Sequence, residues 1–215
     1  MTKAVFFDLD GTLADTAPDF AAVLHRLQTE AGLPSTPYPA LRTHVSHGIR
    51  GMLSIGFGVS PEMDCYPSLA QRFLDYYTEA LCVRTQLFEG IADLLHALEC
   101  QGITWGIVTN KPERLATPLV HALGLSERTA CIIGGDPAPR AKPYPDPLLH
   151  ACRICGISPE TSLYVGDDIR DIDAGRAAGM RTLAASYGYL GASTPIDDWR
   201  ADAIIQHPMQ ILDYV

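Results

Sequence analysis

Two aspartates, Asp8 and Asp10, stand two positions apart, directly after the apolar run Ala4–Phe7 and just before Gly11. The apolar run predicts a buried strand, so both carboxylates can point into one crevice at its end. Adjacent carboxylates repel unless a cation lies between them or one is protonated. Mg²⁺ fits this need because it binds few protein carboxylates together with substrate oxygens. Asp8 is then a candidate nucleophile towards phosphorus and Asp10 a candidate acid and base. An Asp-Gly turn that merely closes a strand is the alternative.

A hydroxyl, an amide and an ammonium group follow later in the chain. Thr109 and Asn110 end a second apolar run, and their side chains suit the non-bridging oxygens of a phosphoryl group. Lys142 stands between Ala141 and Pro143, in a proline-rich loop that stiffens the backbone before a predicted helix. An ammonium held there would stabilise both the nucleophile and the developing charge, whereas an ordinary loop lysine would be solvated.

A second acidic segment, GDDIRD at residues 166–171, follows another strand-like run. Asp167 is the preferred metal ligand among its aspartates. Asp168 and Asp171 are candidate outer partners of the metal, or acidic residues that the macrodipole favours at a helix N-terminus.

Strand-like runs alternate with helical patterns along most of the chain, which is typical of an α/β domain with a parallel sheet. In such sheets the ligand crevice lies outside the carboxyl ends of the strands, where the residues above fall. The predicted strands span residues 4–7, 104–109, 130–134, 162–165, 181–185 and 203–205. The predicted helices between them span residues 90–101, 114–124, 146–155 and 171–179.

The segment from about residue 15 to residue 87 breaks this alternation, because it contains helical patterns only. These patterns span residues 20–31, 38–47, 51–57 and 68–81. We expect a catalytic core formed by residues 1–15 and 88–215 and a helical cap, residues 16–87, that covers the site and sets substrate specificity. Hinges for its opening and closing are expected at residues 14–16 and 87–90.

Taken in order, these motifs resemble those of the haloacid dehalogenase superfamily. The matching residues are Asp8-x-Asp10-Gly11-Thr12, then Thr109-Asn110, then Lys142-Pro143, then Gly166-Asp167-Asp168-x-x-Asp171. The combination spans almost the whole chain and is specific, although each part alone is weak.

The resemblance implies a Rossmann-like core, a helical cap of the first type, and Mg²⁺ as the cofactor. It also implies an aspartyl-phosphate intermediate on Asp8, with Lys142 and Thr109 contacting the phosphoryl group. The metal would be bound by Asp8, by Asp167 and by the backbone carbonyl, rather than the carboxylate, of Asp10.

The presence of Asp10 separates branches of this superfamily, because dehalogenases lack the second aspartate of the pair. Phosphonate hydrolases need a cap lysine, and residues 15–87 contain none. A phosphatase is therefore indicated, with a β-phosphoglucomutase-like sugar phosphomutase or sugar phosphatase as the alternative. A catalytically inactive protein that senses a phosphorylated ligand is the alternative from another class.

Further residues resemble the phosphoglycolate phosphatases, among them Asp15-Thr16 and Thr109-Asn110-Lys111-Pro112. Others, such as Trp105-Gly106 and Trp199-Arg200-Ala201-Asp202, resemble the bacterial N-acetylmuramic acid 6-phosphate phosphatases of peptidoglycan recycling. Both kinds of substrate carry a carboxylate besides the phosphate.

Candidate substrate contacts lie in the cap and beside the second motif. Arg50 is the candidate for binding the substrate carboxylate, and His47 is a candidate partner of Arg50. Asn110 and Lys111 are candidate substrate contacts from the core. An exposed surface charge is the alternative for Arg50, and a solvated loop residue is the alternative for Lys111.

Composition restricts the partners. The formal net charge of −9 argues against broad nucleic-acid binding, and a small phosphorylated metabolite is the expected partner. No apolar run approaches the roughly 20 residues of a membrane span. The strand-like segment begins at residue 4 and leaves no room for a signal peptide, so a cytoplasmic protein is expected. Either a monomer or a homodimer is consistent with the sequence.

Overall fold

The computed structural model describes residues 1–136, 140–191 and 194–215. In chain order the strands are β1 (Ala4–Phe7), β2 (Ala14–Asp15), β3 (Gln86–Leu87), β4 (Thr104–Val108), β5 (Ile132–Ile133), β6 (Ser162–Gly166), β7 (Arg181–Ala185) and β8 (Ala203–Ile205). The α-helices are α1 (Ala17–Glu30), α2 (Tyr38–Arg42), α3 (Gly48–Phe57), α4 (Tyr66–Glu79), α5 (Ile91–Cys100), α6 (Glu113–Ala122), α7 (Asp146–Cys155) and α8 (Ile169–Ala177). Within these ranges, no helix is both long enough and apolar enough to cross a membrane.

A six-stranded parallel sheet in the order β5-β4-β1-β6-β7-β8 forms the centre of the protein. This confirms the predicted α/β fold. The order changes direction at β1, since β4 lies on one side of it and β6 on the other. Phe7 pairs with Ile107 and Val165 on its two sides, so the chain leaves β1 at the middle of the sheet edge. A crevice at such a switch point is where α/β proteins bind ligands.

Helices cover both faces of the sheet. Successive residues of a strand point to opposite faces, so each strand contributes side chains to the contacts on both sides. Val5 and Phe7 pack in the hydrophobic cluster that includes residues of α5 and α6, whereas Ala4 and Phe6 pack in the cluster that includes residues of α7 and α8. All four residues are fully buried. Burial on both faces explains why β1 is apolar throughout instead of alternating with polar residues.

Helices α1 to α4 follow one another between β2 and β3 and share a separate hydrophobic cluster. The predicted helix at residues 38–47 is divided into α2 and a short 3₁₀ helix, Val45–His47. The segment that contains α1 to α4 is called the insertion below, and the part of the chain that contains the six-stranded sheet is called the sheet domain. The sequence did not predict β2 and β3, which pair antiparallel where the insertion leaves and rejoins the sheet domain. Strands of two residues are too short to show an alternating pattern.

The end of the insertion is fixed to its beginning through Asp19 of α1. Its buried carboxylate accepts hydrogen bonds from the backbone N–H groups of Val83, Arg84 and Thr85 at 2.8–3.0 Å and from the Thr85 hydroxyl at 2.7 Å. Hydrogen bonds to a charged acceptor are stronger than neutral ones. The segment that leads into β3 is therefore held against α1.

Replacement of Asp19 with Ala should lower the free energy of unfolding by about 3 kcal/mol, because the donors at residues 83–85 lose a charged acceptor inside the protein. Denaturant unfolding followed by circular dichroism measures the change. Asp75→Ala, at an exposed position of α4, is the control and should change the free energy of unfolding by less than about 0.5 kcal/mol. Equal effects of the two variants would show that the Asp19 contacts contribute nothing specific.

Candidate active site

Three aspartates converge at the carboxyl edge of the sheet. Asp8 follows β1, Asp167 follows the neighbouring β6, and Asp171 lies in the first turn of α8. One carboxylate oxygen from each lies within 4.8 Å of the others, and all three residues are buried. This arrangement follows from the sheet, since adjacent parallel strands end side by side.

Tight contacts orient Asp167. It accepts hydrogen bonds from the Thr12 hydroxyl and the Tyr189 backbone N–H, both at 2.9 Å. Gly11, at φ +90°, and Gly188 lie so close to Asp167 that a Cβ atom at either position would overlap its side chain. Glycines are therefore needed on both sides of this carboxylate.

The electrostatics of this cluster fit a divalent cation. Burial, followed by repulsion from Asp8 and Asp171, raises the pKa of Asp167 well above its usual value. Oδ1 of Asp8 is buried and, among the described residues, has no hydrogen-bond partner. Buried carboxylate oxygens with excess negative charge are the donor set that a hard cation such as Mg²⁺ requires.

Lys142 supplies the positive charge beside this cluster. Its Nζ lies 2.6 Å from Oδ1 of Asp171, 2.9 Å from the Tyr164 hydroxyl and 2.9 Å from Oδ1 of Asp8, the last as an ion pair outside hydrogen-bond geometry. Burial opposes this charge, but Asp171 and Asp8 outweigh it and raise the pKa of Lys142. The ammonium is therefore charged and lies against the predicted nucleophile.

The two side chains of the second motif, Thr109 and Asn110, make different contacts. Thr109 is buried and lines the cavity described below, and its hydroxyl accepts a hydrogen bond from the Lys111 backbone N–H at 3.2 Å. The Asn110 amide instead bonds the backbone of Lys142 in both directions, at 2.9 and 3.0 Å. The Asn110 side chain thus stabilises the loop that contains Lys142, and both of its polar atoms are hydrogen-bonded within the protein.

Asp168 points towards Arg170 and away from the acidic cluster. It caps α8, and its carboxylate accepts bonds from the Arg170 guanidinium at 2.7 and 2.9 Å. Burial opposes ionisation of Asp168, but the bonds from Arg170 lower the pKa of this carboxyl. Arg170 also donates to the backbone carbonyl of Ser46 at 2.7 Å, which ties the insertion to the sheet domain. Asp171, in contrast, lies inside the cluster, and its role as an outer partner of the metal stays a prediction.

A cavity of about 360 Å³ lies between the sheet edge and the insertion. Asp8 and Lys142 line its inner end, while Arg50 and His47 line it from the insertion. Arg50 is exposed and His47 is half-buried. Burial and then the charge of Arg170 lower the pKa of His47, so its imidazole is neutral at pH 7. The cavity therefore contains the predicted nucleophile and both predicted cap residues.

Asp10 and Lys111 face the insertion together. The Lys111 ammonium lies 3.0 Å from Oδ1 of Asp10 and 3.0 Å from the Tyr77 hydroxyl of α4. The Asp10 carboxylate thus lies outside the acidic cluster of Asp8, Asp167 and Asp171. A metal contact through its backbone carbonyl stays a prediction.

Comparison with known proteins identifies the family. Residues 5–185 match the sequence profile described as haloacid dehalogenase-like hydrolase. The chain belongs to the haloacid dehalogenase-like hydrolases. The resemblance inferred from the four motifs is thereby confirmed.

Relatives in this family cover nearly the whole chain. The N-acetylmuramic acid 6-phosphate phosphatase of Pseudomonas aeruginosa is 44% identical over 211 residues, which are 98% of this chain and 93% of that protein. A phosphoglycolate phosphatase of Xanthomonas campestris pv. campestris is 44% identical over 210 residues, which are 97% of this chain and 94% of that protein. The crystal structure of a predicted phosphoglycolate phosphatase from Haemophilus somnus has a TM-score of 0.87 at 29% identity and covers 99% of this chain and 97% of that chain. The chain is an enzyme of the phosphatase class within the haloacid dehalogenase-like family.

Several residues at this site were not predicted from the sequence. Tyr164 lies within the buried strand β6, and Tyr77 lies in α4, far from the motifs in the sequence. Arg114 of α6 is exposed and lines the cavity, although it stands only five positions after Thr109. The short distance from Thr109 in the sequence could have indicated Arg114 as a site residue. No sequence feature indicated either tyrosine.

Mg²⁺ should raise the melting temperature of the wild-type protein by about 5 °C or more at saturation, because binding to the acidic cluster stabilises only the folded state. Asp167→Asn removes one of the converging charges and should abolish most of this shift. Differential scanning fluorimetry measures it, with NaCl at equal ionic strength as the salt control. Asp173→Asn, at an exposed position of α8, should retain the shift. A shift of the same size in the Asp167 variant would contradict the proposed metal site.

Proposed function

We propose that this enzyme is a Mg²⁺-dependent phosphomonoester hydrolase that uses Asp8 as its nucleophile. The observation that carries the proposal is the position of Asp8, whose buried carboxylate lies 2.9 Å from the Lys142 ammonium and in one cluster with the carboxylates of Asp167 and Asp171. A carboxylate beside both a cation site and an ammonium can approach a phosphoryl group without prohibitive repulsion.

The reaction proceeds in two transfers. An oxygen of Asp8 bonds to phosphorus while the bond from phosphorus to the alcohol oxygen breaks, and Asp10 gives its proton to that oxygen. A water molecule then loses a proton to Asp10 and bonds to phosphorus. The bond between phosphorus and Asp8 breaks, and inorganic phosphate leaves.

The remaining residues stabilise charge. The Lys142 ammonium and the Thr109 hydroxyl face the incoming phosphoryl oxygens. Asp8, Asp167 and Asp171 would hold the cation, which would neutralise charge on the phosphoryl group. The carbonyl of Asp10 would complete the ligand set that the family resemblance implies.

The helical insertion, residues 16–87, acts as a cap over a core of residues 1–15 and 88–215. Support comes from the cavity, which has one wall from the insertion and one from the sheet domain. The antiparallel pair β2 and β3 lies where the hinges are expected. Opening admits substrate, and closing excludes water during the attack.

The substrate carries a carboxylate as well as a phosphate. Arg50 and Arg114 line the cavity from opposite sides of the cleft, one on α3 and the other on α6. Neither arginine forms an ion pair in the ranges that the structure describes. Each guanidinium is therefore available for a carboxylate, for which its planar fork is well suited.

The size and lining of the cavity favour a sugar phosphate over a two-carbon acid. Its volume of about 360 Å³ falls within the range of sites that enclose drug-sized ligands. Apolar side chains from both sides line it, including Phe20, Ile49, Leu74 and Leu115. N-acetylmuramic acid 6-phosphate, on which relatives from Pseudomonas are named as acting, combines a phosphate, a carboxylate and apolar methyl groups. We infer that it is the preferred substrate, ahead of 2-phosphoglycolate.

The wild-type enzyme with Mg²⁺ should hydrolyse N-acetylmuramic acid 6-phosphate with a higher kcat/KM than 2-phosphoglycolate or glucose 6-phosphate. Asp8→Asn should lower kcat by roughly 10⁴-fold or more while the protein stays folded, since the nucleophile is lost. Release of inorganic phosphate measures both, with Asp173→Asn as a control that retains activity. If the wild type turned over none of these esters, the phosphatase assignment would be contradicted; a preference for glucose 6-phosphate would contradict the carboxylate assignment.

Removal of either cavity arginine should affect only substrates with a carboxylate. Arg50→Ala and Arg114→Ala should each lower kcat/KM for N-acetylmuramic acid 6-phosphate by roughly 10–100-fold, the effect of losing a charged hydrogen bond. N-acetylglucosamine 6-phosphate, which lacks only the lactyl ether, should lose less than about threefold because it has no carboxylate.

Arg153→Ala, on the distant helix α7, is the matched control and should leave both substrates unchanged. Equal losses for both sugar phosphates in the cavity variants would show that these arginines do not bind the carboxylate.

A further inference from the structure

Lys111 is a buried charge whose surroundings are largely protein. Its side chain is only 3% exposed. The ammonium lies 3.0 Å from Oδ1 and 3.3 Å from Oδ2 of Asp10, and it donates to the Tyr77 hydroxyl at 3.0 Å. It also lies 4.9 Å from the ring centre of Phe20 and 4.7 Å from that of Tyr77. Two aromatic faces and two oxygen-bearing groups thus enclose the ammonium.

The surroundings of Lys111 and Tyr77 raise the pKa of both groups. Burial opposes the charge of Lys111, but Asp10 and Tyr77 outweigh it and raise the pKa of the lysine. Burial also raises the pKa of Tyr77 to about 12, so its hydroxyl is protonated at neutral pH. The Lys111 ammonium thus contacts the Asp10 carboxyl group at 3.0 Å and donates a hydrogen bond to the neutral Tyr77 hydroxyl at 3.0 Å.

Three separate parts of the chain meet in this group. Asp10 lies in the loop after β1, Lys111 lies in the loop after β4, and Phe20 and Tyr77 come from helices α1 and α4 of the insertion. The rings of Phe20 and Tyr77 contact each other with centroids 4.5 Å apart. The position of the lysine head group is therefore set by the insertion, although the lysine itself belongs to the sheet domain.

We propose that Lys111 and Tyr77 are positioning residues that hold the carboxylate of Asp10 for its proton transfers, so that the insertion completes the acid–base machinery of the core. This inference rests on the proposed phosphatase function. In the part of the chain that the structure describes, the Asp10 carboxylate has one other side-chain bond, from the Thr16 hydroxyl at 2.7 Å. Lys111 also lines the cavity, and the substrate-binding role predicted for it from the sequence stays a prediction.

The leaving group provides a selective test, because only some phosphate esters need Asp10 in the first transfer. A sugar alkoxide must be protonated as it leaves, whereas p-nitrophenolate leaves as a stable anion. Misplacement of Asp10 therefore slows the first transfer from a sugar phosphate but not from p-nitrophenyl phosphate. With enzyme in excess over substrate, release of the alcohol product in a single turnover measures that first transfer directly.

Two variants distinguish the contribution of the Lys111 charge from that of the Tyr77 hydroxyl. Lys111→Met keeps the length and apolar stem of the side chain but removes the charge, and Tyr77→Phe removes only the hydroxyl. Tyr76→Phe is the matched control, since Tyr76 is on the same helix and its hydroxyl donates to the exposed Glu30. Thermal unfolding checks that each variant is folded, and Tyr77→Phe decides the question if Lys111→Met does not fold.

For N-acetylmuramic acid 6-phosphate, single-turnover hydrolysis should fall by about 10–100-fold in Lys111→Met and about 3–10-fold in Tyr77→Phe, with KM changed by less than about twofold. Release of p-nitrophenolate should stay within about twofold of the wild type in both variants. Equal losses for the two esters, or a rise in KM without a loss of rate, would overturn the inference. A wild-type enzyme inactive on both esters would overturn the proposed function itself, which is a distinguishable outcome.

Discussion

Three buried carboxylates beside one buried ammonium are the constraint on which the rest of the site depends. Asp8, Asp167 and Asp171 converge within 4.8 Å, and among the described residues Lys142 is the one cation at hydrogen-bond or ion-pair distance from them. Such an excess of negative charge is costly in a protein interior unless a cation or a polar network compensates it. Thr12, Tyr164 and the backbone of Tyr189 provide part of that network. The remaining charge is the reason for proposing a divalent cation and a phosphoryl group at this point.

The strand order makes this convergence possible. β1 lies at the centre of the sheet between β4 and β6, so the loops that follow these three strands meet at one edge. Asp8, Thr109 and Asp167 each come directly after one of these strands. Lys142 is brought to the same point by the Asn110 side chain, which bonds its backbone N–H and carbonyl. The candidate catalytic groups thus follow rigid backbone elements, an arrangement that limits reorganisation of charged groups.

Much of this core could be predicted from the sequence, because the pattern that indicates it lies within short stretches of the chain. A buried strand followed at once by a polar residue is visible in a short window, as at Asp8, Thr109 and Asp167, and the parallel sheet turns that pattern into proximity. Contacts across the cleft have no such signal. Tyr77 reaches Lys111 from more than thirty positions away, and Arg170 reaches Ser46 from the opposite side of the cleft. Those contacts depend on how the insertion packs over the sheet, which a pattern of helices does not determine.

The central claim is that Asp8 accepts the phosphoryl group. Acid quenching during turnover, followed by borohydride reduction, converts an aspartyl phosphate into homoserine, and peptide mass spectrometry locates the converted residue. Conversion at Asp8 alone, and only with both substrate and Mg²⁺ present, is the predicted result. Conversion at Asp10 or at another residue, or turnover with no converted residue at any quench time, would contradict it.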